Sequence, residues 1–162
     1  MPAGRTPART GAATPDQPAC EIILHASCVA FDAAGTLPRA VVILGASGAG
    51  KSALALQLLG LGARLVADDR TLLRREGIHL VAAAPPGLPP LIEARGIGLL
   101  GATMCPKAGV VLAVDLDAHE RDRLPLRRHL DFCGAATEVV HGTQSAHFPA
   151  AIRQYVLHGR HD

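Results

Sequence analysis

The chain has almost no aromatic residues: three Phe, one Tyr and no Trp among 162 positions. Binding of single-stranded nucleic acid usually relies on bases stacked against aromatic side chains, so that function class has little to build on here. Charge of one sign is also lacking. Sixteen Lys and Arg stand against fourteen Asp and Glu, a formal charge of +2, which is no footprint for a phosphate backbone or an anionic bilayer. Each apolar run is broken by Gly, Pro, Arg or Asp before it reaches the ~20 residues that span a membrane. No apolar stretch of signal-peptide type opens the chain. The expectation is a soluble, cytoplasmic protein with neither nucleic acid nor membrane as partner. Cys20, Cys28, Cys105 and Cys133 include no C-x-x-C pair. Structural zinc uses closely spaced ligands, so four reduced thiols are expected.

What is present is aliphatic. Hydrophobic residues make up 49% of the chain, enough for the core of one domain and too short a chain for two ordinary ones. Residues 1–19 hold four prolines and no hydrophobic period, and read as a disordered arm. Residues 20–162 read as the domain.

Short β-rich apolar runs at 22–25, 28–31 and 40–44 predict strands, the last one buried. Leu54, Leu58 and Leu61 then recur at helical spacing, and Gly60 and Gly62 stand where a helix would stop, which predicts a helix over 52–61. Further strands are expected at 64–67, 71–74 and 78–82, with Glu76-Gly77 as a hairpin turn. The run PPGLPP at 85–90 excludes regular structure. Beyond it, 91–94 and 110–116 read as strands, 119–128 as a charged stretch, and 149–157 as a helix opened by Pro149. The fold class is α/β: a mixed sheet with few helices that is not a simple βαβ repeat.

One motif carries the chemistry. Between the buried strand at 40–44 and the helix stands GASGAGKS, Gly45 to Ser52, which fits G-x-x-x-x-G-K-[ST] in full and in the required strand–loop–helix context. In such a P-loop, Gly45, Ala46, Ser47, Gly48, Ala49 and Gly50 wrap the backbone so that N–H groups point at phosphate oxygens. Lys51 reaches the β- and γ-phosphates and the Ser52 hydroxyl ligates magnesium. Nucleotide binding needs a further acid at a neighbouring strand end. Asp68-Asp69 close RLVA, and Asp115 and Asp117 close VVLAVDLD. In an extended chain neighbouring side chains face opposite ways, so one of Asp68 and Asp69 would serve the chemistry and the other support it. Glu93 and Arg95 in IEARGIG would share a face if the strand continued, with Gly96 and Gly98 freeing the backbone beside them. His25 lies on an otherwise apolar strand.

Together these segments resemble the HPr kinase/phosphorylase family, in its short alphaproteobacterial form with the catalytic domain alone. The resemblance runs from about His25 to Arg123. Its most specific part is GASGAGKSALALQLLGLGARLVADD followed by IEARGIGLL, because the family has the P-loop, the R-L-V-A-D-D segment and E-x-R-G-x-G in this order. It implies a P-loop fold of the PEP carboxykinase-like kind, ATP and Mg2+ as cofactors, and transfer of phosphate to a serine of an HPr-type phosphocarrier protein of the phosphotransferase system. Asp69 would be the catalytic acid–base, Lys51 and Ser52 the P-loop lysine and metal serine, Glu93 a second magnesium ligand, and His25 the catalytic histidine. Asp68, Arg95, Gly96 and Gly98 would support the site. The family's later catalytic arginine falls on Arg123 in ERDRLP, with Arg121 and Arg127 as neighbours that could take its place. The resemblance also implies a homo-oligomer. It does not extend into VVHGTQSAHFPAAIRQYV, where the family carries a segment associated with dephosphorylation, so reverse phosphorolysis stays open. Two rival readings remain: a small-molecule kinase using Asp115 as the magnesium-side acid, and a nucleotide-sensing module without turnover.

Overall fold

Alternation along the central strands sets the layers. Residues 20–161 are described by the structure, a computed structural model; the arm expected over 1–19 lies outside the described residues. Strands β2 (Ser27–Phe31) and β3 (Arg39–Leu44) send Val29, Phe31, Val41 and Ile43 into one apolar cluster and Cys28, Ala30, Ala40 and Val42 into another. Both sets are buried, as befits strands covered on two faces.

The chain runs β1 (Glu21–Leu24), β2, β3, α1 (Lys51–Gly60), β4 (Arg64–Ala67), β5 (Thr71–Glu76), β6 (His79–Ala83), β7 (Leu91–Ala94), β8 (Gly98–Gly101), β9 (Ala108–His119), β10 (Arg128–Phe132), β11 (Ala135–Gly142) and α2 (Phe148–His158). The large sheet has the order β1-β5-β6-β9-β3-β2-β4, with β11 added to β9 and β10 to β11; β7 and β8 form a separate hairpin. Leu54, Ala55 and Leu58 of α1 and Ile152 and Val156 of α2 fill one face of this sheet. The opposite cluster draws on strands and loops alone, with Leu73 of β5, Phe132 of β10 and Val139 of β11 folded over the small side chains of β2 and β3. The sheet therefore curls on itself where no helix covers it.

Helix α1 ends in a Schellman motif: the Gly62 N–H donates to Leu59 O and the Ala63 N–H to Leu58 O, and Gly62 takes the left-handed φ of 95° that this closure demands. Ala63 and Leu58 are buried together beneath it.

Strand β9 has β3 along one edge, parallel. Its other edge is shared: β6 pairs at Ala108 and Gly109, and β11 at Ala113 to Asp115. Between them the sheet forks around a hollow of about 690 Å³ lined by His79, Val111, His129 and Thr137 among others.

Expected strands and helices are found within a residue or two, except that β9 extends well past the apolar run at 110–116 and that β8, β10 and β11 were not foreseen. Cys20 and Cys133 form a disulfide with Cα atoms 5.3 Å apart, which corrects the expectation of four reduced thiols. Cys28 and Cys105 are free and buried, and burial pushes both thiols upward from their ordinary range. No helix among the described residues is long and apolar enough to cross a membrane.

Candidate functional site

Parallel pairing of β3 with β9 ends at Leu44 opposite Asp115. The chain then turns into α1 through Gly45, at φ 151°, where a Cβ would lie 2.9 Å from Ala49 Cβ and 3.3 Å from Leu116 Cβ. Only glycine fits that crossing. Gly50 precedes the helix without any side-chain cap, so the first-turn N–H groups keep their donor capacity for an anion.

Lys51 is the first residue of α1 and is buried at 7% exposure, which a lysine tolerates only with partners. Its Nζ donates to the carbonyls of Gly45 at 2.8 Å and Ala46 at 3.0 Å, and lies 3.1 Å from His25 Nε2. An ammonium has donors only, so Nε2 accepts and the imidazole proton sits on Nδ1. Nδ1 lies 3.0 Å from Asp69 Oδ1 and 3.1 Å from the Asp69 carbonyl. The result is a chain from Lys51 through His25 to Asp69 across the mouth of the P-loop. His25 stands in the turn after β1, rather than on a strand as the sequence suggested.

Asp68 and Asp69 are likewise in a bend after β4, not in extended chain. Asp69 has φ 67°, a conformation Asp adopts more readily than most residues. Asp68 faces inward: its Oδ1 accepts from Ser27 Oγ at 2.6 Å and Ser52 Oγ at 2.9 Å, and its Oδ2 accepts from Ser52 Oγ at 3.1 Å and the Glu93 N–H at 3.3 Å. The two aspartates thus face different partners, Asp68 the Ser27 and Ser52 hydroxyls and Asp69 the His25 ring.

These groups surround a cleft of about 670 Å³, within the range of nucleotide-sized pockets. His25, Ser47, Gly48, Gly50, Lys51, Ser52, Asp69, Glu93, Arg95 and Ile97 are among its lining. Gly96 and Gly98 flank Ile97 in the β7–β8 turn, with φ of 85° and 131°. Ile97, 78% exposed, was missed by sequence reading; its place between two turn glycines beside Arg95 was the available signal. Strand β7 ends at Ala94, so Arg95 lies beyond it. Ser52, Asp68 and Glu93 offer oxygen donors of the kind magnesium prefers, and magnesium commonly takes one or two carboxylates together with phosphate oxygens and water. Among the described residues no group of three or more His, Cys, Asp or Glu is arranged to hold a metal by itself.

Other candidates are not brought into the cleft. Arg121 and Arg123 are exposed on the segment after β9 and do not line it. Arg127 donates to Glu138 and to the Arg160 carbonyl. Asp115 Oδ1 accepts the Asp117 N–H at 2.9 Å, and both Asp117 oxygens lie 3.0 Å from the Ala46 N–H. Both side chains accept backbone N–H groups, and neither lines the cleft.

Known proteins resemble this chain in sequence and in fold. HPr kinase/phosphorylase 1 of Oceanobacillus iheyensis is 44% identical over 72 residues, covering 44% of this chain and 23% of that protein. HPr kinase/phosphorylase of Peptoclostridium acidaminophilum is 51% identical over 61 residues, covering 37% of this chain and 20% of the other. The matched part therefore spans about a quarter or less of those relatives' length. The solved structure of the Hpr(Ser) kinase/phosphatase from Coxiella burnetii superposes with a TM-score of 0.66 over 83% of this chain and 93% of that one, at 23% identity. That is a likeness of fold, a curled mixed sheet with few helices. The family described as HPr Serine kinase C-terminal domain matches residues 17–113, more than half of the sequence, and the chain belongs to that family.

Proposed function

We propose that this domain transfers the γ-phosphoryl group of ATP to a serine of an HPr-type phosphocarrier protein. The observation that carries the reading is the Lys51–His25–Asp69 chain at the P-loop mouth, with Asp69 69% exposed at its outer end. A carboxylate there can meet the hydroxyl of an incoming protein, while the phosphate cradle lies behind it.

In this mechanism the Asp69 carboxylate takes the serine proton as the serine oxygen forms its bond to the γ-phosphorus. The bond from that phosphorus to the β–γ bridging oxygen breaks, and ADP leaves. Lys51 and the P-loop N–H groups offset the charge spread over the transferring oxygens. His25, neutral with its proton on Nδ1, holds the Asp69 carboxylate toward the acceptor and gives Lys51 a resting partner. Ser52 and Glu93, with Asp68 orienting the serine, would hold magnesium, which would supply charge neutralisation for the phosphates. Arg95 lines the same cleft and is suited to a phosphate oxygen, and Arg123 would reach the site only by movement of its segment. Positioning and electrostatics supply most of the rate in such chemistry.

The test is transfer of labelled γ-phosphate from MgATP to a purified HPr-type carrier. Wild type should label a carrier serine, and Lys51→Ala and Asp69→Asn should each lose about 10²- to 10⁴-fold in rate, with Asp69→Asn still binding ATP. Binding of ATP by wild type without any labelling of the carrier would overturn the proposal.

A further inference from the structure

Strand β9 outruns its neighbour. Pairing with β3 stops at Asp115, yet β9 continues to His119, so on that edge its last residues run alongside the P-loop, while β11 stays on the other edge. Gly45 lets the loop pass against Leu116 at near-contact distance. One residue further on, the Asp117 carboxylate meets the Ala46 N–H with both oxygens at 3.0 Å. Asp117 is itself held, because its own N–H donates to Asp115 Oδ1.

Ala46 is the link. Its N–H is fixed by Asp117, while its carbonyl accepts both the Ala49 N–H at 3.0 Å and Lys51 Nζ at 3.0 Å. The amide that carries the Ala46 N–H ends in the Gly45 carbonyl, which accepts from Lys51 Nζ at 2.8 Å; a carboxylate on its N–H and an ammonium on its carbonyl polarise that amide in the same sense. From this arrangement we infer that Asp117 is a positioning residue for the phosphate site: it acts through Ala46 to fix the first turn of the P-loop and, with it, the place from which Lys51 approaches a polyphosphate. It touches no substrate, and it is not a magnesium ligand. Both of its oxygens are engaged by the loop, and it does not line the cleft.

The charge matters to the test. An aspartate near a polyphosphate site repels the ligand, so its hold on Ala46 and its charge act in opposite directions on nucleotide affinity. Asparagine keeps an acceptor oxygen and removes the charge; alanine removes both. Comparing the two separates the terms.

The inference rests on the phosphate-binding part of the proposed function and not on the identity of the acceptor. Its experiment is calorimetric titration of the whole chain with MgADP, for wild type, Asp117→Asn, Asp117→Ala, Lys51→Ala and the double variant Asp117→Ala/Lys51→Ala, each first checked for an unchanged melting profile. Asp117→Asn should bind MgADP at least as tightly as wild type, and Asp117→Ala about five- to ten-fold more weakly than Asp117→Asn, the loss expected of one neutral hydrogen bond. In the Lys51→Ala background the alanine substitution should lose most of that effect, the non-additivity expected of residues acting in one chain. Equal affinities for the Asn and Ala variants would overturn the hold on Ala46. Loss in Asp117→Asn together with a raised magnesium requirement would make it a metal ligand and overturn the proposal. Full additivity with Lys51→Ala would overturn the route through Lys51. Failure of the carrier to be labelled would leave all of these binding results standing, so the two readings fail separately.

Discussion

Asp68 holds Ser27, Ser52 and the Glu93 N–H while its neighbour Asp69 faces His25, and a left-handed backbone at Asp69 separates their tasks. That angle takes Asp69 out of line with β4 and toward solvent, where an acceptor can reach it. Another carboxylate shows how local partners set an acid's behaviour. Glu120, just past the end of β9, is held at about pKa 2, chiefly by the Arg128 guanidinium donating to it and then by the N–H groups of Asp122 and Arg121. A carboxylate whose folded value is depressed adds stability above its unfolded value and loses it as pH falls through the folded one. The difference in stability between wild type and Glu120→Gln should therefore be constant above about pH 5, shrink from about pH 4.5 downward, and be gone near pH 2. Urea denaturation at a series of pH values checks this.

At the scale of elements, the P-loop depends on α1 being stopped as firmly as it is started. The Schellman closure at Gly62 sets where β4 begins, and β4 delivers Asp68 and Asp69 four and five residues after its first residue, Arg64. Gly62→Ala keeps the hydrogen bonds but forces an L side chain into φ 95°, which should cost about 1–2 kcal/mol in urea denaturation with little change in nucleotide affinity. The start and stop of α1 were readable because both signals are local: a fitted G-x-x-x-x-G-K-S before it, and Gly60 and Gly62 after it. The same is true of the short buried strands. Strands β10 and β11 were not readable, because Arg128–Phe132 exposes most of its residues and carries no clean alternation; its strand state comes from pairing with β11. Strand β9 was shortened in the reading for a related reason. Its apolar run stops at Leu116, but its pairing with β11 carries it on, with a bulge, to Gly142 opposite His119. The latch of Asp117 on Ala46 follows from that extra length, so the sequence offered Asp117 only as one acid among several.

At the scale of the whole molecule, the sheet closes one core with helices and the other by curling, and the join between its two halves is made at the far end of the fork. There Arg75 donates to the Gly134 carbonyl, and Cys20 bonds to Cys133 across a separation of 113 residues. No spacing in the sequence could show that pair, since partners so distant are chosen by the fold. Drawn as a covalent graph, the described chain is then a ring with a tail. His25, Lys51, Asp69, Glu93 and Asp117 all belong to the ring, and helix α2 to the tail. A backbone cut inside a ring does not release a fragment. Trypsin should nick the exposed segment after Arg123, between the two cysteines, and the products should migrate as one species on a non-reducing gel and as two once a thiol reductant is added. Two fragments without reductant would mean an open chain. In the closed form, the tail can loosen while the residues that meet phosphate stay tied within a single loop.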